Sequence, residues 1–405
     1  MSTDLNQLMT QMYAYFQQRY HLSGADAGPG ALFLAFEAIG TAVSPGDFKL
    51  LPGDTTFNPA IIQQHGSHLV DFVVELNDQG LIAPRGDLSP TVERQYAYLL
   101  NTARPPADPA KMDAFLQLQG QAKRTLDEQK GTVSFEEFMP VSFVPQFWFD
   151  PAQSDNWTSY DAADAPAPVT SPPSPPTGLP PWRWRLLKEP SQEVWAGMAA
   201  ALGTHAPLPT HAGSIGQPRP LEALRTGSQS LPGITALTGT SAPQAASRLQ
   251  SLAPRPVLVN LQAKTVVDLP TAQPDSANFT MSFEYCVVAV SRPWLEAAFI
   301  VEPGWFLPGE RAGSWSLGKY DPVPQRFGYL PAKLLVIRNL KISATWSPQD
   351  ISNVESGAAA IGPFSLLGSR FESGNITVPG MQAVGWFCQI MPALPPTPDP
   401  AIALL

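Results

Sequence analysis

The chain has 405 residues, 45 of them proline, with 44% hydrophobic and 10% aromatic content. That apolar share excludes a wholly disordered chain, and the length predicts two or three folded units. Only 15% of residues are charged and the net charge is −9, which argues against broad nucleic-acid binding and against purely electrostatic attachment to anionic lipid.

Residues 1–131 read as a helical domain. Leu5, Leu8, Met9, Met12, Tyr13 and Phe16 follow the spacing of one helix face, with Thr3 or Asp4 as N-cap. Residues 31–43 are a second, more apolar helix candidate between Pro29-Gly30 and Pro45-Gly46. Asn58-Pro59 opens a third helix and Ser89-Pro90 a fourth, each with proline in the favoured first position. A fifth runs over 109–130 and stops at Gly131. Five helices with short connections predict a bundle.

Residues 132–391 read as β-rich. Aromatic and β-branched enrichment predicts strand over 141–149, VSFVPQFWF. A Pro-rich loop, 161–181, joins this run to an alternating strand over 182–187, inside one domain. Residues 191–202 predict a short helix capped by Ser191. The irregular segment 203–256 is rich in Pro, Gly, Ser and Thr, with a short helix near 242–252. Strands are predicted at 257–261, 264–269, 281–290, 334–346 and 381–391. The Pro-rich tail, 392–405, is read as disordered or docked on a neighbour. The fold class is therefore α+β: an N-terminal five-helix bundle followed by an antiparallel β-sandwich-like domain with long Pro-rich loops.

Chemistry-bearing patterns are sparse. His65, His68 and Asp71 share a helix face and form a weak metal candidate, against the reading that this is a helix's polar side. His21, His205 and His211 stand alone, and no GxSxG, GxxxxGK[ST] or GxGxxG occurs, so neither a catalytic residue nor a cofactor is assigned. Cys286 and Cys388 lie in strand-like runs and read as buried thiols rather than a disulfide or a nucleophile. Glu284, inside 281–290, is read as solvent-facing; on a buried face it would need Arg292 or Arg338.

The densest feature is aromatic: Trp294, Trp305, Phe306, Trp315, Tyr320, Phe327 and Tyr329 fall in a stretch rich in Gly and Pro. They are the candidate contact residues for protein, lipid or glycan, against the alternative that they plug one end of a core. The functional expectation is a non-catalytic structural or interaction protein, a subunit of an oligomeric assembly, binding a protein partner or itself. A membrane-active, pore-forming or toxin-like protein is the alternative, with membrane contact in a conditional state only; absence of liposome leakage at any pH would remove it. A hydrolase with a dispersed site is the second alternative. The opening MSTDLNQLMTQ lacks the basic start and apolar stretch of a secretory signal. No segment reaches the ~18–20 apolar residues of a membrane helix. The expected location is cytoplasmic, with non-classical release left open.

Overall fold

The computed structural model describes residues 4–23, 27–51, 53–76, 81–82, 90–106, 108–133, 136–163, 184–188, 265–268, 275–321, 323–355 and 360–402. Eight strands make one antiparallel sheet: β1 (Leu32–Val43), β2 (Ser142–Val144), β3 (Thr158–Asp161), β4 (Ala277–Ser291), β5 (Tyr329–Thr345), β6 (Arg370–Glu372), β7 (Asn375–Val378) and β8 (Met381–Ile390). β5 is central. β4 pairs along one edge of it, from Lys333↔Ala289 to Thr345↔Ala277. β8 and β7 share its other edge, end to end across Pro379-Gly380. Outside these lie β1 on β8 and β6 on β7, and at the opposite margin β2 and β3 both pair with β4. The sheet is thus five strands wide.

Alternation of side chains assigns the two faces. Phe279, Met281, Phe283 and Tyr285 of β4 join Leu335, Ile337, Leu340 and Ile342 of β5 in a first core. Cys286 and Val288 join Leu334, Val336, Trp386 and Cys388 in a second core on the other face. Asn339, at φ 54, makes a β-bulge where Arg338↔Glu284 is followed by Lys341↔Ser282. Asn tolerates this left-handed conformation better than most residues, and the extra position keeps Leu340 and Ile342 on the first face.

Helix α1 (Leu5–Tyr20) covers the first face. Asp4 and Gln7 form a reciprocal capping box, and Leu5, Leu8, Met9, Met12, Tyr13 and Phe16 point into the first core. Helix α2 (Pro59–Val70) covers the second face, its first turn satisfied by the Asn58 side chain. Gly66 lets α2 settle on β2: a Cβ there would stand 2.1 Å from the Phe143 ring. Helices α3 (Val92–Thr102) and α4 (Pro109–Glu128) pack with α5 (Ala297–Val301) in a third core rich in tryptophan. The buried Gln119 amide donates to Leu100 O (2.7 Å) and Ala103 O (3.1 Å), supplying partners to carbonyls at the end of α3. Helix α6 (Pro348–Glu355) follows β5. Among the described residues no helix is long and apolar enough to cross a membrane.

The α+β class holds, with three corrections of detail. The expected helix over 31–43 is instead strand β1, Leu32–Val43. Leu34, Phe36 and Ala38 enter the first core while Phe33, Ala35 and Val43 enter the second. A strand buried on both faces is apolar throughout, which leaves periodicity unable to separate it from a buried helix. Second, the expected bundle does not form: α1 and α2 face opposite sides of the sheet, while α3 and α4 pack together in the third core. Residues on both sides of 131 contribute to all three cores, inside a unit that joins 1–188 to 261–405. Third, 141–149 is strand only over Ser142–Val144, because Pro145 removes a ladder donor and the chain turns through 146–149.

The sheet faces helices and loops rather than a second large sheet. A four-stranded sheet made of Trp184–Lys188, Thr265–Asp268, Ala360–Ile361 and Phe364–Ser365 contributes Ile361 and Phe364 to the first core, so the arrangement is only loosely sandwich-like. The expected elements at 191–202, 203–256 and 257–261 lie outside the described residues, as does nearly all of 161–181.

Candidate functional site

The aromatic stretch turns inward. Trp294, Trp305, Trp315 and Phe327 are buried in the third core, and Tyr329 in the second. Trp294 Nε1 donates to Pro140 O at 2.9 Å, and Trp305 stacks on Phe299 with centroids 5.6 Å apart. Tyr329 donates to Asp321 O (2.5 Å) and accepts from Asp321 N (2.7 Å), pinning the loop that carries Tyr320. Tyr320 is half-buried, edge-on to Phe33 at 5.0 Å. Phe306 is half-buried too, its backbone bridged to Arg104. Trp315 stacks on the Tyr98 ring at 5.1 Å, and the Arg326 guanidinium lies over the Trp315 ring at 5.4 Å. Among the side chains that reach solvent here are Tyr98, Leu317, Val323 and Arg326.

The three candidate metal ligands have separate roles. His65 is buried edge-on to Phe48 at 4.9 Å, and burial, with the His68 charge beside it, pushes its pKa down to about 4. His68 faces solvent. Asp71 sits at the end of α2 beside Arg292, with Oδ1 3.7 Å from Nε. Burial raises its carboxyl to about 6 against the opposing pull of Arg292, with Glu93 adding to the rise. Arg292 donates to Val70 O (2.6 Å) and Pro331 O (2.8 Å), clamping α2 to β5 from the end of β4. Among the described residues no three His, Cys, Asp or Glu side chains are grouped to hold a metal ion. Cys286 and Cys388 are free, buried thiols, both pushed up by burial, Cys286 to about 12. That is the opposite of what a thiolate nucleophile needs. A buried Ser276–Asp350 contact (2.5 Å) also takes Ser347 N onto Ser276 Oγ at 3.0 Å, and so ties together the start of α6.

Glu284 leads to the surface that sequence reasoning missed. It accepts from Arg338 Nε (2.6 Å) and Asn339 Nδ2 (2.9 Å), and the Arg338 guanidinium lies 4.3 Å from the Trp157 ring centroid. Both sequence readings were half right: Glu284 is partly exposed and still takes Arg338 as its partner. Next to it the strand registers align a row across all five strands: Asp161, Ser282, Lys341, Thr377 and Arg370. The following row is Thr280, Ser343, Asn375 and Glu372. All nine residues are exposed or half-buried. Neighbouring strands stand about 4.8 Å apart, so these rows make a continuous polar face of hydroxyls, an amide and charges of both signs. The signal in sequence is the alternation at 280-282-284, 341-343-345 and 375-377. What joins the strands is register, which no single strand reveals.

No known protein family, curated protein or solved structure matches this chain.

Proposed function

We propose that this chain is a non-catalytic interaction protein, a subunit of an assembly, whose contact surface is the polar face of β3, β4, β5, β7 and β6. The observation that carries the reading is the five-residue row Asp161–Ser282–Lys341–Thr377–Arg370, held in register by main-chain pairing. A surface built on paired strands is rigid before contact, so little conformational entropy is lost on binding. Charges of both signs within one row favour a protein surface of mixed charge over a polyanion. The low overall charge supports the same reading, because such a surface resists association less than a strongly charged one.

The test is sedimentation across a concentration series. The wild-type chain is expected to associate, and Lys341→Glu with Arg370→Glu to weaken that association by about tenfold or more through like-charge contact. Both side chains are exposed, so the melting temperature should stay put. A chain that remains monomeric at every concentration, or that associates equally well with both charges reversed, sinks the reading.

A further inference from the structure

Residues 391–402 leave the end of β8 and lie along the loop 304–318. Ala393 and Leu394 pair with Leu317 and Ser316. Leu394 is fully buried in the third core, with Pro395 buried beside it. Trp315 N donates to Leu394 O (2.7 Å) and Gly313 N to Pro395 O (3.0 Å). Thr397 fixes the middle of the strap: its hydroxyl is in donor range of Gly304 O (3.0 Å) and Trp305 O (2.8 Å), and its N–H donates to Trp305 O (3.3 Å). Asp399 fixes the far end, accepting from Gly309 N (2.7 Å) while its own N–H donates to Glu310 O (3.0 Å). The two segments approach so closely that a Cβ on Gly318, at φ +72, would stand 2.9 Å from Ala393 N.

These contacts have the form of peptide recognition. Main-chain pairing and carbonyl contacts hold an extended, proline-punctuated segment, while three side chains at fixed offsets set its register. Leu394 fills an apolar pocket, Thr397 reads two carbonyls and Asp399 reads an amide. The hydrogen bonds to Asp399 hold its carboxyl below the usual range, so it is ionised at neutral pH.

We propose that the 304–318 loop is a binding cleft for an extended segment of the form Leu-Pro-Pro-Thr-Pro-Asp, filled here by residues 394–399, and that a second copy of the chain supplies the same segment in trans. The proposal adds a route of self-association beyond the polar sheet face and shares with that reading only the assumption that copies meet. Exchange needs no new interface, since each contact is already native to the fold. The hinge is short: Met391 N stays bonded to Gly328 O, and Pro392 has no main-chain donor to lose. So short a tether gives the chain's own segment an effective concentration on the order of mM, so exchange belongs to crowded or freshly folding material.

The test uses the full chain carrying Leu317→Cys and Ala393→Cys. These positions are directly opposed and both exposed, whereas Cys286 and Cys388 are buried. After refolding and oxidation, exchange predicts at least about a hundredfold more disulfide-linked dimer at about 1 mM than at about 1 µM. Adding Thr397→Ala and Asp399→Ala should speed the opening that precedes exchange and leave the dimer fraction at equilibrium unchanged, because the same contacts hold the strap in cis and in trans. A cross-link that stays intramolecular at both concentrations, or a dimer fraction that is the same at both, overturns exchange. If the cysteine variant fails to fold, a labelled peptide of residues 392–405 is titrated onto the full-length Thr397→Ala, Asp399→Ala chain, whose own strap is weakened. Saturable binding supports the cleft, and none up to about 1 mM overturns it. Repeating the cross-link with Lys341→Glu and Arg370→Glu separates the two surfaces. Dimer that persists there supports the strap, even if sedimentation has removed the sheet face. Dimer that disappears overturns the strap and leaves the sheet-face reading standing.

Discussion

The central sheet passes through two environments along its own strands. Around Cys286–Val288 of β4, Leu334–Ile337 of β5 and Trp386 of β8, both faces are covered, by α1 on one side and by α2 with the 141–149 segment on the other. Around Phe279–Glu284, Leu340–Ser343 and the whole of β7, only the first face is covered and the second carries Thr280, Ser282, Lys341, Ser343, Asn375 and Thr377. Hydrogen bonding is the same in both halves. The number of layers is not, and that alone turns the sequence from alternating to continuously apolar within one strand. In β4 the change falls at Tyr285-Cys286, two adjacent buried residues that enter different cores. A sheet half enclosed in this way has one region buried on both faces and one whose second face is left to solvent.

The largest effects are expected in the enclosed half. Trp386 is fully buried, donates to Leu69 O (3.2 Å) and meets Phe72 edge-on at 5.3 Å. Trp386→Ala should cost about 3–5 kcal/mol by urea denaturation, whereas Thr377→Ala in the open half should stay within about 0.5 kcal/mol. Equal losses at the two sites would erase the distinction.

Next in size is the pH response of the α2 layer. The folded pKa of His65 is about 4, below its ordinary 6.5, so its contribution is present above pH 6.5 and is lost as pH falls towards 4. Asp71 is the reverse. Its folded value is about 6, above the ordinary 3.8, so its contribution is present below 3.8 and is lost as pH rises through 6. The groups facing them are His68 and Phe48 for His65, and Arg292 and Glu93 for Asp71. Each arm amounts to about 3 kcal/mol, and between pH 4 and 6 the two oppose each other. Wild-type stability should therefore be nearly flat in that window. Asp71→Asn should lose stability as pH falls from 6.5 to 4, and His65→Asn should lose it as pH rises over the same span. Variants with parallel slopes would show that the two groups do not offset one another.

Much of the helical fold was legible because its signals are local. Asp4 and Asn58 cap the helices that begin beside them, and the apolar face of α1 follows its predicted spacing residue for residue, whereas the helix expected at Ser89-Pro90 starts at Val92 with Thr91 as its cap. The long strands β4, β5 and β8 were found from β-branched and aromatic runs. β1 was lost because enclosure on both faces removes the alternation that identifies a strand. The inward turn of Trp294, Trp305 and Trp315 is one of two readings that their sequence context allows. Their burial depends on α3 and α4, some 200 residues away in the chain by a rough count, and on the 393–402 strap, and such non-local partners leave no local trace. The polar face was hidden for the same reason: five short alternations become one surface only through register.

The smallest effects test whether that face is a designed surface or merely solvated sheet. Asn339 ends the enclosed half of β5, and its φ of 54 inserts the residue that carries Lys341 and Ser343 onto the polar side. Asn339→Val should cost about 1–2 kcal/mol, because a β-branched side chain resists the left-handed region. Asn339→Gly should come within about 0.5 kcal/mol of wild type, its conformational ease offsetting the lost contact with Glu284. If the face is a contact surface, the valine variant should also weaken association beyond what its stability loss explains, by shifting Lys341 out of line with Ser282 and Thr377. Sedimentation of both variants at a temperature where each is fully folded decides this. Association that tracks stability alone would leave the bulge a purely structural device, one that serves the first core by returning Leu340 and Ile342 to it.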